Sequence, residues 1–126
     1  DSRMLAMTIL YQIDLMKKKK IDYSIEELLS EYNEFNTDFS KNLINGVLEH
    51  EEELISIANK YLNNWNISRL GLTDAAIIKI AIYEIMYTDT PKKVCIDEAI
   101  ELAKDYSDEK VVGMINGVLD KVYHNN

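Results

Sequence analysis

From Thr73 to Tyr87 the usual spacing of apolar residues gives way to an almost unbroken apolar run. In TDAAIIKIAIYEIMY the only charged residues are Asp74, Lys79 and Glu84, while Ala, Ile, Tyr and Met fill nearly all the rest. Polar residues five apart cannot keep one face of a 3.6-period helix wet, so the run predicts a helix buried on all sides within a bundle. A bilayer span needs roughly 20 apolar residues; this run is shorter and carries charges. It therefore reads as the central helix of an all-α core. Thr73 is placed to cap it, Asp74 suits the positive end of the helix, and Pro91 ends the helical stretch.

Elsewhere the pattern predicts amphipathic helices. Leu5, Ala6, Ile9, Leu10, Ile13 and Met16 form one apolar face over residues 2–18. Ser24-Ile-Glu-Glu27 is a capping box that opens a second helix running to about Tyr32. Thr37 caps a third, and Phe39, Leu43, Val47, Leu54, Ala58 and Tyr61 keep one phase, which predicts an unbroken helix to about Leu62. Trp65, Ile67 and Leu70 fall in the turn before the central helix. After it, Glu98 to Tyr106 predict a short helix, and Ser107 opens the last one, with Val111, Ile115, Val118, Leu119 and Val122 facing inward. Asn45-Gly46 and Asn116-Gly117 lack flanking alternation, so they are not hairpin turns. Each is a glycine inside a helix, expected where a neighbouring helix backbone passes close.

The two Asn-Gly sites belong to an internal duplication. LINGVLE (43–49) recurs as MINGVLD (114–120), SIEELL (24–29) as CIDEAI (95–100), and ILYQI (9–13) as AIYEI (81–85), in the same order and at offsets of 71, 71 and 72. A repeat of this length is a supersecondary unit, here three helices. The expected architecture is all-α: two packed three-helix bundles forming a single domain over 1–126, with halves of about 1–66 and 67–126.

Charge narrows the function. The net charge of −8 weighs against an autonomous nucleic-acid binder. It is unevenly spread: residues 1–20 sum to +3, residues 21–68 to −8 and residues 69–126 to −3. A polyanion should therefore approach the first helix, where Arg3, Tyr11 and Lys18 form a short basic and aromatic strip. Tyr11 could equally pack like its repeat mate Tyr83, and Lys17 to Lys20 could simply complement the negative end of their helix. No export leader is visible, and a cytoplasmic protein is the expectation.

Catalytic chemistry finds no support. One cysteine, Cys95, excludes an intrachain disulfide framework and multi-cysteine zinc sites. His50 and His124 lack metal-ligand spacing, and there is no glycine-rich phosphate loop. His50 reads as a partly buried packing residue, Cys95 as an inert thiol aligned with the capping Ser24, and the acidic clusters 51–53 and 97–98 as solvated faces or helix starts. No enzyme, cofactor or metal is expected.

LYQID (10–14), NGV (45–47), the stretch from Trp65 through Arg69-Leu70 to DAAIIKIAIYE (74–84), TPKKVCIDEAIELAKDY (90–106) and INGVLDKV (115–122) resemble the NusB family of bacterial transcription antitermination factors across essentially the whole chain. The resemblance implies two three-helix bundles. It also implies binding to the boxA element of nascent RNA as a heterodimer with NusE, a small-subunit ribosomal protein, within an RNA polymerase antitermination complex on ribosomal RNA operons. Residue by residue, it implies RNA contacts from Arg3, Tyr11 and Gln12 on the first helix, from Tyr61, and from the segment between Asp108 and Met114. Asp74 and Glu84 match the region that faces NusE. Two departures stand out: a single arginine near the N-terminus where the family has a basic cluster, and Met114 where it has a frequent Phe. The other readings are a NusB-like module of a ribosomal RNA methyltransferase, and a protein-interaction adaptor or homodimer without RNA binding. No membrane partner is expected.

Overall fold

The computed structural model describes residues 2–32, 37–63 and 65–126, and every regular element among them is helical. The helices are α1 (Ser2–Lys18), α2 (Ile25–Ser30), α3 (Asp38–Glu49), α4 (Glu51–Tyr61), α5 (Leu72–Tyr87), α6 (Lys92–Tyr106) and α7 (Glu109–Asn125), with a 3₁₀ turn at Ile67–Arg69. α1 packs on α2 and α3; α5, α6 and α7 pack on one another, and α1 and α3 lie against α5. The three duplicated segments fall on corresponding members of the two trios: α1 and α5, α2 and α6, α3 and α7.

α5 is the central element. Every residue from Ala75 to Ile85 is buried, and the helix touches α1, α3, α4, α6 and α7. None of the described helices is long and apolar enough to cross a membrane. Two of the three charges of α5, Lys79 and Glu84, are buried, each against an opposite charge. Lys79 reaches Asp14 of α1 at 3.1 Å, with Glu51 at 3.9 Å, and Glu84 meets Arg3.

Several boundaries differ from the sequence expectation. The long third helix breaks at His50, which ends α3 and starts α4 with φ −105° and ψ 17°. Glu51, Glu52 and Glu53 then occupy the first turn of α4, where carboxylates favour the positive helix end. α4 packs on α5 and α7 as well as α3, and that change of direction is the gain that offsets the break. The His50 ring stacks on Tyr87 with centroids 4.1 Å apart.

α5 is preceded by Gly71 in the capping position, so Thr73 lies inside the helix. α6 begins at Lys92 directly after Pro91, because a proline with its fixed φ suits a helix start. Cys95 is therefore a buried helical residue, with no capping role. The last helix is capped by Asp108, whose carboxylate accepts from the Val111 N–H at 2.9 Å; Ser107 instead donates its hydroxyl to Asp74. Thr37 caps α3 in a reciprocal capping box with Ser40, and Ser24 accepts from the Glu27 N–H.

The two Asn-Gly glycines serve different ends, and neither faces a helix backbone. A Cβ on Gly46 would fall inside the Tyr83 ring, whereas one on Gly117 would meet nothing within 4 Å.

Candidate nucleic-acid interface

The end of α4, the connection through the 3₁₀ turn, the start of α5 and one face of α7 enclose a groove of about 700 Å³. Tyr61, Asp74, Asp108 and Met114 all line it, so four residues singled out from the sequence converge here from three separate parts of the chain. Trp65, Arg69, Lys110, Gly117 and Lys121 complete the walls.

The electrostatics run against the acidity of the molecule. Three cations, Arg69, Lys110 and Lys121, line the groove against two carboxylates. Both carboxylates are engaged locally: Asp74 accepts from Ser107, and Asp108 caps α7. None of the three cations has a carboxylate partner among the described residues. The Lys60 ammonium adds a fourth charge at the edge, 5.3 Å from the centre of the Tyr61 ring. Aromatic faces beside unpaired cations can stack bases and neutralise phosphates.

The other sequence candidates lie elsewhere. Arg3 is bound in a two-pronged ion pair with Glu84, Nε to Oε1 at 2.7 Å and Nη2 to Oε2 at 2.8 Å. The pair is largely enclosed, with side-chain exposures of 15% and 1%, and the guanidinium also lies 5.0 Å from the centre of the Phe39 ring. The hydrogen bond to Glu84 holds Arg3 above the ordinary arginine pKa. In this structure the Glu84 carboxylate is thus enclosed, and the Arg3 guanidinium is engaged with it.

Tyr11 stands on the surface of α1, 37% exposed. Gln12 beside it is half-buried, and its Oε1 has no hydrogen-bond partner. Lys18 is exposed at the other end of the helix and borders a smaller cleft with Asp14, Lys17, Glu51 and Lys79.

Among the described residues no cluster of His, Cys, Asp or Glu is arranged to hold a metal. Cys95 is buried and donates weakly to the Thr90 carbonyl at 3.7 Å; burial, helped by nearby Glu84, pushes its pKa up to about 12. A thiol held neutral in this way is a poor nucleophile.

Sequence reasoning did not single out Trp65, Arg69 or Lys121 for this groove, and reached Lys110 only as part of the segment from Asp108 to Met114. For Trp65 a signal existed: a tryptophan between polar residues in a connecting turn has few routes to burial, and half of its surface stays exposed.

The NusB family model matches residues 1–124. The chain belongs to the NusB family. The transcription antitermination protein NusB of Ligilactobacillus salivarius (strain UCC118) is 37% identical over 124 residues, spanning 97% of this chain and 95% of the relative. The NusB protein of Staphylococcus aureus (strain JH9) is 39% identical over 126 residues, with the same coverage. Among solved structures, T. maritima NusB superimposes with a TM-score of 0.86 at 27% identity, covering 99% of this chain and 89% of that one. The NusB chain crystallised with NusE and double-stranded RNA gives 0.82 at 26% identity, covering 99% and 95%. Family membership and the all-helical fold thus rest on sequence and on structure independently.

Proposed function

We propose that this chain is a transcription antitermination factor. It acts in the cytoplasm, binds the boxA element of nascent RNA together with NusE, and joins the complex through which RNA polymerase resists termination, above all on ribosomal RNA operons. The observation that carries the reading is the groove: a molecule of net charge −8 gathers Tyr61, Trp65, Arg69, Lys110 and Lys121 around one channel. Relatives named as antitermination factors, and a structural neighbour crystallised with NusE and RNA, support it.

RNA lies along this groove, with Tyr61 and Met114 against bases and the cations on phosphates. Tyr11 and Lys18 offer a second strip on α1 for RNA or partner contact. Asp74, at the rim, is the remaining candidate for contact with NusE. So few cations on so acidic a chain bind RNA weakly alone, and a basic partner supplies the rest. Fluorescence anisotropy of labelled boxA RNA, with and without purified NusE, tests this. Weak binding that tightens markedly with NusE is expected. No binding in either condition would remove the proposal, and binding unchanged by NusE would remove the partner from it.

A further inference from the structure

The groove does not end at Tyr61. Asn63, Trp65 and Arg69 also line an adjoining recess, together with Asn66. Trp65, the chain's single tryptophan, is 51% exposed there. Neither face of its indole carries another ring or a cation among the described residues.

An exposed indole in a connection could be an accident of a loose loop, but the described residues of this connection from Trp65 onward are mostly held by hydrogen bonds. The Trp65 N–H donates to the Leu62 carbonyl at 3.1 Å, and the Ile67 N–H donates to Asn59 Oδ1 at 2.7 Å. The Ser68 N–H donates to Asn66 Oδ1 at 2.9 Å, and Arg69 and Leu70 close the 3₁₀ turn. Asn63 takes the left-handed conformation that bends the chain out of α4, with φ 56°. The backbone from Trp65 to Leu70 is thus tied by hydrogen bonds while the indole face stays open. Arg69 is the only charged residue among the described residues lining the recess.

We propose that this recess is a nucleobase site, in which one unpaired base of the bound RNA stacks on Trp65 while Arg69 meets its phosphate. The site rests on the RNA-binding reading above and extends it to residues that no comparison assigns. The Asn66 carbonyl oxygen is used by Ser68, so its amide group is left to donate to an acceptor on the base edge. A preformed platform loses little freedom when the base arrives, which favours stacking over rearrangement.

The test uses the full chain with NusE and a labelled single-stranded RNA carrying boxA. In the wild type, RNA should quench the fluorescence of the only tryptophan and shield it from acrylamide. Trp65→Ala should weaken RNA binding about 5- to 150-fold, the span of one base–aromatic stack, and Trp65→Phe should restore most of it. Circular dichroism and thermal melting establish that each variant folds. An abasic scan of the RNA supplies the readout that a structural role would not move. One abasic position should weaken the wild type and have no further effect on Trp65→Ala. If RNA binds with anisotropy intact but the indole stays unshielded and no position couples to Trp65, the nucleobase site is overturned and the RNA-binding reading survives. If the wild type fails to bind RNA with NusE present, both fall.

Discussion

Replacing Arg3 by Ala should destabilise the fold severely while leaving the RNA groove untouched, the opposite of what the family resemblance implies for this residue. Arg3 and Glu84 meet through two short hydrogen bonds, at 2.7 and 2.8 Å, and Glu84 is 1% exposed. At the effective dielectric that suits such sites, opposite charges about 4 Å apart attract by about 4 kcal/mol. Truncating Arg3 removes that attraction and leaves a carboxylate enclosed beside Ile80, Ile85 and Cys95, all buried. Breaking a buried pair in this way costs about 3–5 kcal/mol, a large share of the roughly 5–15 kcal/mol that holds a domain together. The guanidinium's contact with Phe39 adds about 0.5–1 kcal/mol. Replacing both partners by apolar residues, Arg3→Met with Glu84→Leu, removes the orphaned charge and should recover most of the loss, because a well-packed apolar substitute often matches a buried pair. Urea unfolding followed by circular dichroism measures this. With a slope of about 1–3 kcal/mol per molar urea, Arg3→Ala should lower the midpoint by about 2 M. The double variant should fall much closer to the wild type and bind boxA RNA with wild-type affinity. A loss below about 1 kcal/mol for Arg3→Ala, or losses in the double-mutant cycle that simply add, would refute the structural role. A stable double variant with lost RNA binding would return Arg3 to the interface.

Gly46→Ala should destabilise by about 1–3 kcal/mol, since the strain of overpacking against the Tyr83 ring outweighs the gain of about 1 kcal/mol in helix propensity. Gly117→Ala, with open space around it, should stabilise by up to about 1 kcal/mol; chemical denaturation reads both, and equal signs would contradict the packing described. Cys95, whose pKa burial raises to about 12, should resist iodoacetamide at pH 8–9 in the native protein and react with an ordinary thiol profile when unfolded; native labelling with a midpoint near 9 would contradict the burial. Because the unfolded chain releases the Cys95 proton first, stability should fall as pH rises from about 9 towards 12. Lys110→Gln and Lys121→Gln should each weaken RNA binding across sequences and reduce the slope of log affinity against log salt by about 0.7; an unchanged slope in either would take that lysine off the phosphate path.

The helical architecture was legible because two independent signals coincide. The all-round apolarity of residues 73–87 demands enclosure, and the repeated Asn-Gly segments demand two similar trios. The break at His50 was hidden because the apolar phase on its two sides nearly agrees; the run Glu51-Glu52-Glu53, read as a solvated face or a helix start, was the mark of a new N-terminus. The site was half legible. Tyr61, Asp74, Asp108 and Met114 do share one groove, but the resemblance supplied them, and no periodicity could bring the end of α4 to the face of α7. Arg3 and Glu84 misled because a lone arginine on an amphipathic helix and a lone glutamate on an apolar one look like exposed charges until the helices cross. Lys110 and Lys121 were lost in a segment whose summed charge is negative, since a sum over sequence carries no information about which charges are already neutralised in space.

The two Asn-Gly copies show how a duplicated fold comes to differ between its halves. In the first trio the glycine of α3 is filled by the Tyr83 ring, whose hydroxyl donates to Asn42 at 3.2 Å, and the helix is thereby sealed against α5. In the second trio the corresponding glycine of α7 is left open and lines the groove. The difference follows from α4. The helix that breaks away at His50 packs on α5 and α7, and its end, with the pinned connection that follows, builds the opposite wall. The groove therefore exists only where the trio has this added helix beside it. α4 and the connection after it supply Tyr61, Trp65 and Arg69, while α7 and the turn leading into it supply Asp108, Lys110, Met114 and Lys121. The asymmetry that shapes the groove is thus carried by the one helix that the repeat does not duplicate.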